Sequence, residues 1–159
     1  MFSRNHQQCE QKRPRISARN ALFAKVVISS KAQSFTVHLD LLIYYSPFFR
    51  AALTGSFKEA GEKLVTLSDA DTDTFELFVH WLYHQRLPTE VDSPELFALY
   101  RGRENEDTVP ALQMEMLIKL YVFCDKHNVP QLYRQCLDTM FQVLDDGDVL
   151  SDCYHPFFW

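Results

Sequence analysis

Residues Phe35 to Leu87 read FTVHLDLLIYYSPFFRAALTGSFKEAGEKLVTLSDADTDTFELFVHWLYHQRL. Phe35-Thr36-Val37 is a strand signal that ends at His38, and a helical run from Leu39 to Tyr45 follows it. Ser46-Pro47 then restarts the helix. Serine is a preferred N-cap, and proline fits the first helical position, where its missing N–H had no partner. The new helix should close near Gly55 in a left-handed cap. Phe57 to Lys63 reads as a polar loop and Leu64 to Leu67 as a second strand. A long helix from about Thr74 to Tyr83 comes next, with Asp73 and Glu76 at capping-box spacing. Phe75, Phe78, Val79 and Leu82 share one face of it, while Leu77 and Trp81 lie elsewhere on its circumference. A helix that is apolar nearly all round packs on more than one side. The stretch shows no catalytic apparatus and offers hydrophobic faces, which points to partner binding.

Working outward, Val26-Val27-Ile28 is a β-branched run separated from Phe35 by a short polar connection, the pattern of a hairpin. Downstream, Ser93-Pro94-Glu95 starts a short helix through Tyr100, and Arg101 to Thr108 reads as a charged, exposed loop. Met114 to His127 repeats apolar residues at helical spacing until Asn128-Val129-Pro130 stops it. Gln131 to Leu144 is a further helix, and so short a link predicts that the two pack as a pair. The reading divides the chain into a basic leader (1–22), one domain (23–145, with an exposed loop at about 88–111) and a tail (146–159) whose end is apolar.

The totals suit one globular domain. The chain has 159 residues, 47% hydrophobic and 14% aromatic, with only 4 glycines, so most of it can build a core. Sixteen basic and twenty-one acidic residues leave a net charge of −5, which argues against non-specific nucleic-acid binding. No stretch approaches the ~20 apolar residues that span a bilayer. Residues 1–20 hold no apolar run of a signal peptide, and Lys12-Arg13-Pro14-Arg15 has the composition of a short nuclear-import signal, although a solvated basic tail is the reading preferred. Cys9, Cys124, Cys136 and Cys153 are scattered, as in a reducing compartment, so the expected location is cytoplasm or nucleus.

Candidate chemistry is sparse. Asp69, Asp71 and Asp73 suggest a calcium loop, but Thr74 stands where the loop needs Gly and His80 where it needs a bidentate Glu. His80 and His84 are four apart without a third ligand nearby in sequence, so both read as helix-surface histidines. Cys124 with His127, and Cys153 with His155, have poor zinc spacing, and buried thiols are the reading preferred. No phosphate-binding glycine loop or GxSxG elbow occurs. The expectation is no enzyme activity, no cofactor, no metal and no small-molecule substrate.

The Phe35–Leu87 stretch resembles the BTB (POZ) domain. The resemblance rests on Val37-His38 before the first helix, Ser46-Pro47-Phe48-Phe49 in the next, and Phe75 with Trp81-Leu82-Tyr83 after the acidic loop. The later run Leu120 to Leu132, LYVFCDKHNVPQL, looks like the stand-alone BTB proteins common in fungi. The resemblance implies a mixed α/β fold, a small sheet flanked by short helices. It also implies protein–protein interaction, either as an adaptor recruiting a partner to a cullin-type ubiquitin ligase or as a self-associating scaffold or nuclear regulator. Cullin-binding members carry a hydrophobic-x-Glu motif after the Ser-Pro helix, which Phe57-Lys58-Glu59 matches. The partner-binding residues implied are Phe57, Lys58 and Glu59, with Tyr83 and His84 at a nearby helix end. Leu39 departs from the family, which often has Lys there, and residues 1–20 lack the amphipathic pattern of the helix through which many members dimerise.

Overall fold

The computed structural model describes residues 12–29, 32–56, 58–101 and 109–146. Strands β1 (Phe23–Ile28) and β2 (Gln33–His38) lead into helices α1 (Leu39–Tyr45), α2 (Pro47–Thr54) and α3 (Lys58–Glu62). Strand β3 (Leu64–Leu67) follows, then α4 (Thr72–His84), α5 (Pro94–Arg101), α6 (Val109–Lys126) and α7 (Pro130–Asp146). The sheet order is β2-β1-β3. β1 and β2 form the expected antiparallel hairpin, with Phe23 opposite His38 and Ile28 opposite Gln33. β3 joins the other edge of β1 in parallel, from Lys25 opposite Leu64 to Ile28 opposite Leu67.

Period-two alternation turns Ala24, Val26 and Ile28 inward and leaves Phe23 and Lys25 outside. Val37, Val65 and Leu67 continue this buried face, and α4 runs through the centre of the helical layer. Phe75, Leu77, Phe78, Trp81 and Leu82 are all buried, as its all-round apolar sequence requires. The Trp81 indole N–H donates to Gln135 Oε1 at 2.7 Å, tying α4 to α7. α6 and α7 pack as the predicted pair. The Cys124 and Cys136 thiols are buried between them. A hydrogen bond with Cys136, then burial, pushes the Cys124 thiol up, which keeps it protonated.

Four local features differ from the sequence reading. The cap of α4 is Asp71, not Asp73: its Oδ2 accepts from Thr74 N–H at 3.2 Å, and its backbone is extended. Gly55 is also extended (φ −75°, ψ −166°) rather than left-handed. The end of α2 is closed instead by Gly55 N–H donating to Ala51 C=O at 3.1 Å and by Lys63 Nζ donating to Leu53 C=O at 2.9 Å. The polar stretch after Gly55 is helical as α3, held by a Lys58–Glu62 ion pair one turn apart. Lastly, α6 begins at Val109, ahead of Met114 and inside the stretch read as an exposed loop at about 88–111; the short helix expected from Ser93 through Tyr100 is present as α5, and residues 102–108 lie outside the described residues.

His127 closes α6 under the Ser-Pro helix. It is buried, its ring lies against Phe123 at a centroid distance of 4.2 Å, and its Nδ1–H donates to Phe123 C=O at 2.9 Å. Burial holds its pKa below the ordinary 6.5, against the opposing pull of that carbonyl. Burial and then His84 lower His80 likewise. Between the folded and unfolded pKa values the unfolded chain binds more protons, so stability is fully present above about pH 6.5 and declines as pH falls below it. A urea midpoint that drops between pH 7.5 and 5.5, and drops less in His127→Gln, is the expected result.

Candidate interaction site

Phe48 and Phe49 are adjacent on α2 and point to different sides, because neighbouring helical residues do not share a face. Phe49 is fully buried, whereas Phe48 is 37% exposed. Phe48, Ala51 and Ala52 form one wall of a groove of about 530 Å³. β3 supplies the floor through Leu64, Val65 and Thr66, and α3 supplies the far rim through Lys58, Glu59 and Glu62. The small side chains of Ala51 and Ala52 leave the space open.

The electrostatics of the rim are divided. Lys58 and Glu62 neutralise one another at 3.4 Å. Glu59 is exposed and forms no ion pair among the described residues. The site therefore combines an apolar wall and floor with one uncompensated carboxylate, which suits an apolar anchor with a donor or cation beside it. The turn that positions α3 is built by Lys63, at φ 52°, whose C=O accepts from Lys25 N–H at 2.8 Å.

Of the residues singled out in the sequence, Lys58 and Glu59 line this groove, and Phe57 lies outside the described residues. Tyr83 and His84 are not among its lining residues. Tyr83 is held at the hairpin end, where its hydroxyl lies 2.7 Å from His38 Nδ1, and its C=O accepts from Arg13 Nη2 at 3.2 Å. His84 stacks on His80 at a centroid distance of 4.4 Å. His80, read as a surface histidine, is instead 8% exposed. Phe48, Ala51, Ala52 and Leu64 were not marked as site residues. The consecutive phenylalanines are the signal that one of the pair must lie outside the core.

The family model of the BTB/POZ domain matches residues 16–142. The chain belongs to the BTB/POZ domain family. Its mixed α/β architecture, with a three-stranded sheet and several helices, is the BTB fold, and the BTB domain is a protein-interaction module. The chain is 26% identical over 141 residues to mouse (Mus musculus) Kelch repeat and BTB domain-containing protein 4, covering 80% of this chain and 26% of that protein. It is 28% identical over 109 residues to Arabidopsis thaliana BTB/POZ and MATH domain-containing protein 6, covering 64% of this chain and 26% of the relative. The chain thus spans about a quarter of the length of these curated relatives. Among solved structures it is similar to the BTB domain of human Gigaxonin, at 15% identity and a TM-score of 0.48, over 73% of this chain and 75% of that one. Among the described residues, no helix of this BTB chain is long and apolar enough to cross a membrane.

Proposed function

We propose that this BTB chain is a non-enzymatic adaptor that recruits a partner to a cullin-type ubiquitin ligase, docking the cullin scaffold in the α2–α3–β3 groove. The observation that carries this reading is the meeting of two independent features. Phe57-Lys58-Glu59 has the hydrophobic-x-Glu pattern of cullin-binding members, and Lys58 and Glu59 border an open groove beside the exposed Phe48. An apolar partner side chain would fill the space over Ala51 and Ala52, and Glu59 would accept a hydrogen bond or meet a cation at the rim. Such central anchors carry most of the energy of an interface. The setting would be cytoplasm or nucleus, in a chain resembling the stand-alone BTB type.

Isothermal titration with a cullin N-terminal domain tests the proposal. Phe57→Ala combined with Glu59→Ala, and separately Ala51→Arg, should each weaken binding by at least about tenfold, equivalent to about 1.4 kcal/mol. Ala51 and Glu59 are exposed, so the fold should persist, which circular dichroism checks. Unchanged affinity in both variants would remove the groove as the docking site.

Self-association is a second reading. It is favoured by Ile118 and Val122 on α6 and Phe141 and Leu144 on α7, each roughly half or more exposed. Light scattering that gives a monomer mass at tens of micromolar would exclude it.

A further inference from the structure

His80 and His84 are four residues apart on α4 and therefore share a face of the helix. Their rings lie nearly parallel, at 17°. The chain then leaves α4 through Gln85, in the left-handed conformation at φ 58°, and folds back. A turn places Asp92 over the histidine pair. Thr89 N–H donates to Asp92 Oδ1 at 2.7 Å, the Thr89 hydroxyl bonds to the same oxygen, and Ser93 N–H donates to Thr89 C=O at 3.0 Å. One ligand atom from each of His80, His84 and Asp92 lies within 4.8 Å of the others. We infer that His80, His84 and Asp92 form a binding site for a zinc-like divalent cation that clamps the 86–93 turn to the end of α4.

The donor set selects the metal class. Two imidazoles and one carboxylate suit zinc and its late first-row neighbours, with water in the fourth position. Calcium and magnesium require more oxygen ligands than this cluster offers. Zinc with Zn–N bonds of about 2.0–2.1 Å places tetrahedral ligands about 3.3 Å apart. The cluster must therefore contract, and the exposed His84 can rotate to do so.

The state of His80 supports the assignment. The residue is buried, its Nδ1 lies 3.4 Å from Ser93 Oγ, and its buried Nε2 has no hydrogen-bond partner. An imidazole with one nitrogen near a polar neighbour and the other unsatisfied has the arrangement of an oriented metal ligand. Asp92 is a carboxylate oriented by its neighbours: its Oδ1 accepts from both the Thr89 N–H and the Thr89 hydroxyl. Arg86 is the built-in competitor. Its guanidinium meets Asp92 Oδ2 at 2.7 Å, yet its side chain is more than half exposed and free to swing away.

Zinc titration of the tag-free, chelator-treated chain, followed by a chromophoric competitor, tests the site. The expected result is one equivalent bound, no competition by calcium, and tighter binding in Arg86→Gln. Changing an outer partner of a metal ligand costs about 10–100-fold in affinity, so losing a direct ligand in His84→Ala or Asp92→Asn should cost at least that. His84 is exposed, so its variant should fold, and the Cys124 thiol is buried and protonated, away from the competition. No saturable zinc binding, or stoichiometric binding that survives both His84→Ala and Asp92→Asn, would overturn the assignment.

Discussion

Phe78→Ala lowers the stability of the fold by about 3–5 kcal/mol, the usual cost of deleting a buried aromatic ring. Phe78 is fully buried, and its ring neighbours come from different helices. It lies parallel to Phe49 of α2 at 6.0 Å, tilts against Phe75 one turn earlier on α4 at 5.6 Å, and tilts against Phe123 of α6 at 5.1 Å. A cavity there borders α2, α4 and α6 together. Those helices are also pinned by other contacts, so the site cannot collapse to fill the void. A domain of this size holds only about 5–15 kcal/mol in total. Phe78→Leu should cost far less, because it restores most of the volume. Urea denaturation monitored by circular dichroism gives the difference directly. A loss under about 1 kcal/mol for the alanine variant would contradict the central role assigned to this ring.

Ser46→Ala is expected to cost about 2–4 kcal/mol, from a cap worth about 1 and an orphaned carbonyl worth about 1–3. The hydroxyl of Ser46 uses both its capacities at once. It accepts from Phe49 N–H at 3.1 Å, capping α2, and donates to His127 C=O at 2.6 Å. The residue is fully buried, so no water replaces it in the variant. The His127 carbonyl lies where Asn128, left-handed at φ 49°, ends α6. One side chain thus joins the helix that walls the groove to the helix pair behind it. Urea denaturation measures the cost. A loss no larger than a simple cap, about 1 kcal/mol, would mean that the bond to His127 contributes nothing.

Much of this architecture was legible because its signals are local. The β-branched run at Val26 to Ile28, the Ser46-Pro47 restart and the all-round apolar helix each state their own structure. α1 and β3 lie where the pattern places them. α3 was hidden because Lys58 to Glu62 has no apolar face, and only the one-turn spacing of its charges hints at a helix. The choice between Asp71 and Asp73 as cap turns on backbone angles, since either carboxylate could accept the bond. His80 could not be read as buried, because its cover comes from Asp92 and Ser93, which the chain brings back only after leaving the helix. In the groove, Lys58 and Glu59 were legible through a family motif. Phe48 was not, since helical spacing alone does not say which of two adjacent phenylalanines faces out.

Hydrogen–deuterium exchange of this chain, alone and with a cullin N-terminal domain, tests the interaction reading most directly. The account predicts slowed exchange in residues 48–54 and 58–66, the two sides and floor of the groove, with little change in α7. Full exchange across both segments in the presence of saturating partner, or protection confined to α6 and α7, would contradict it.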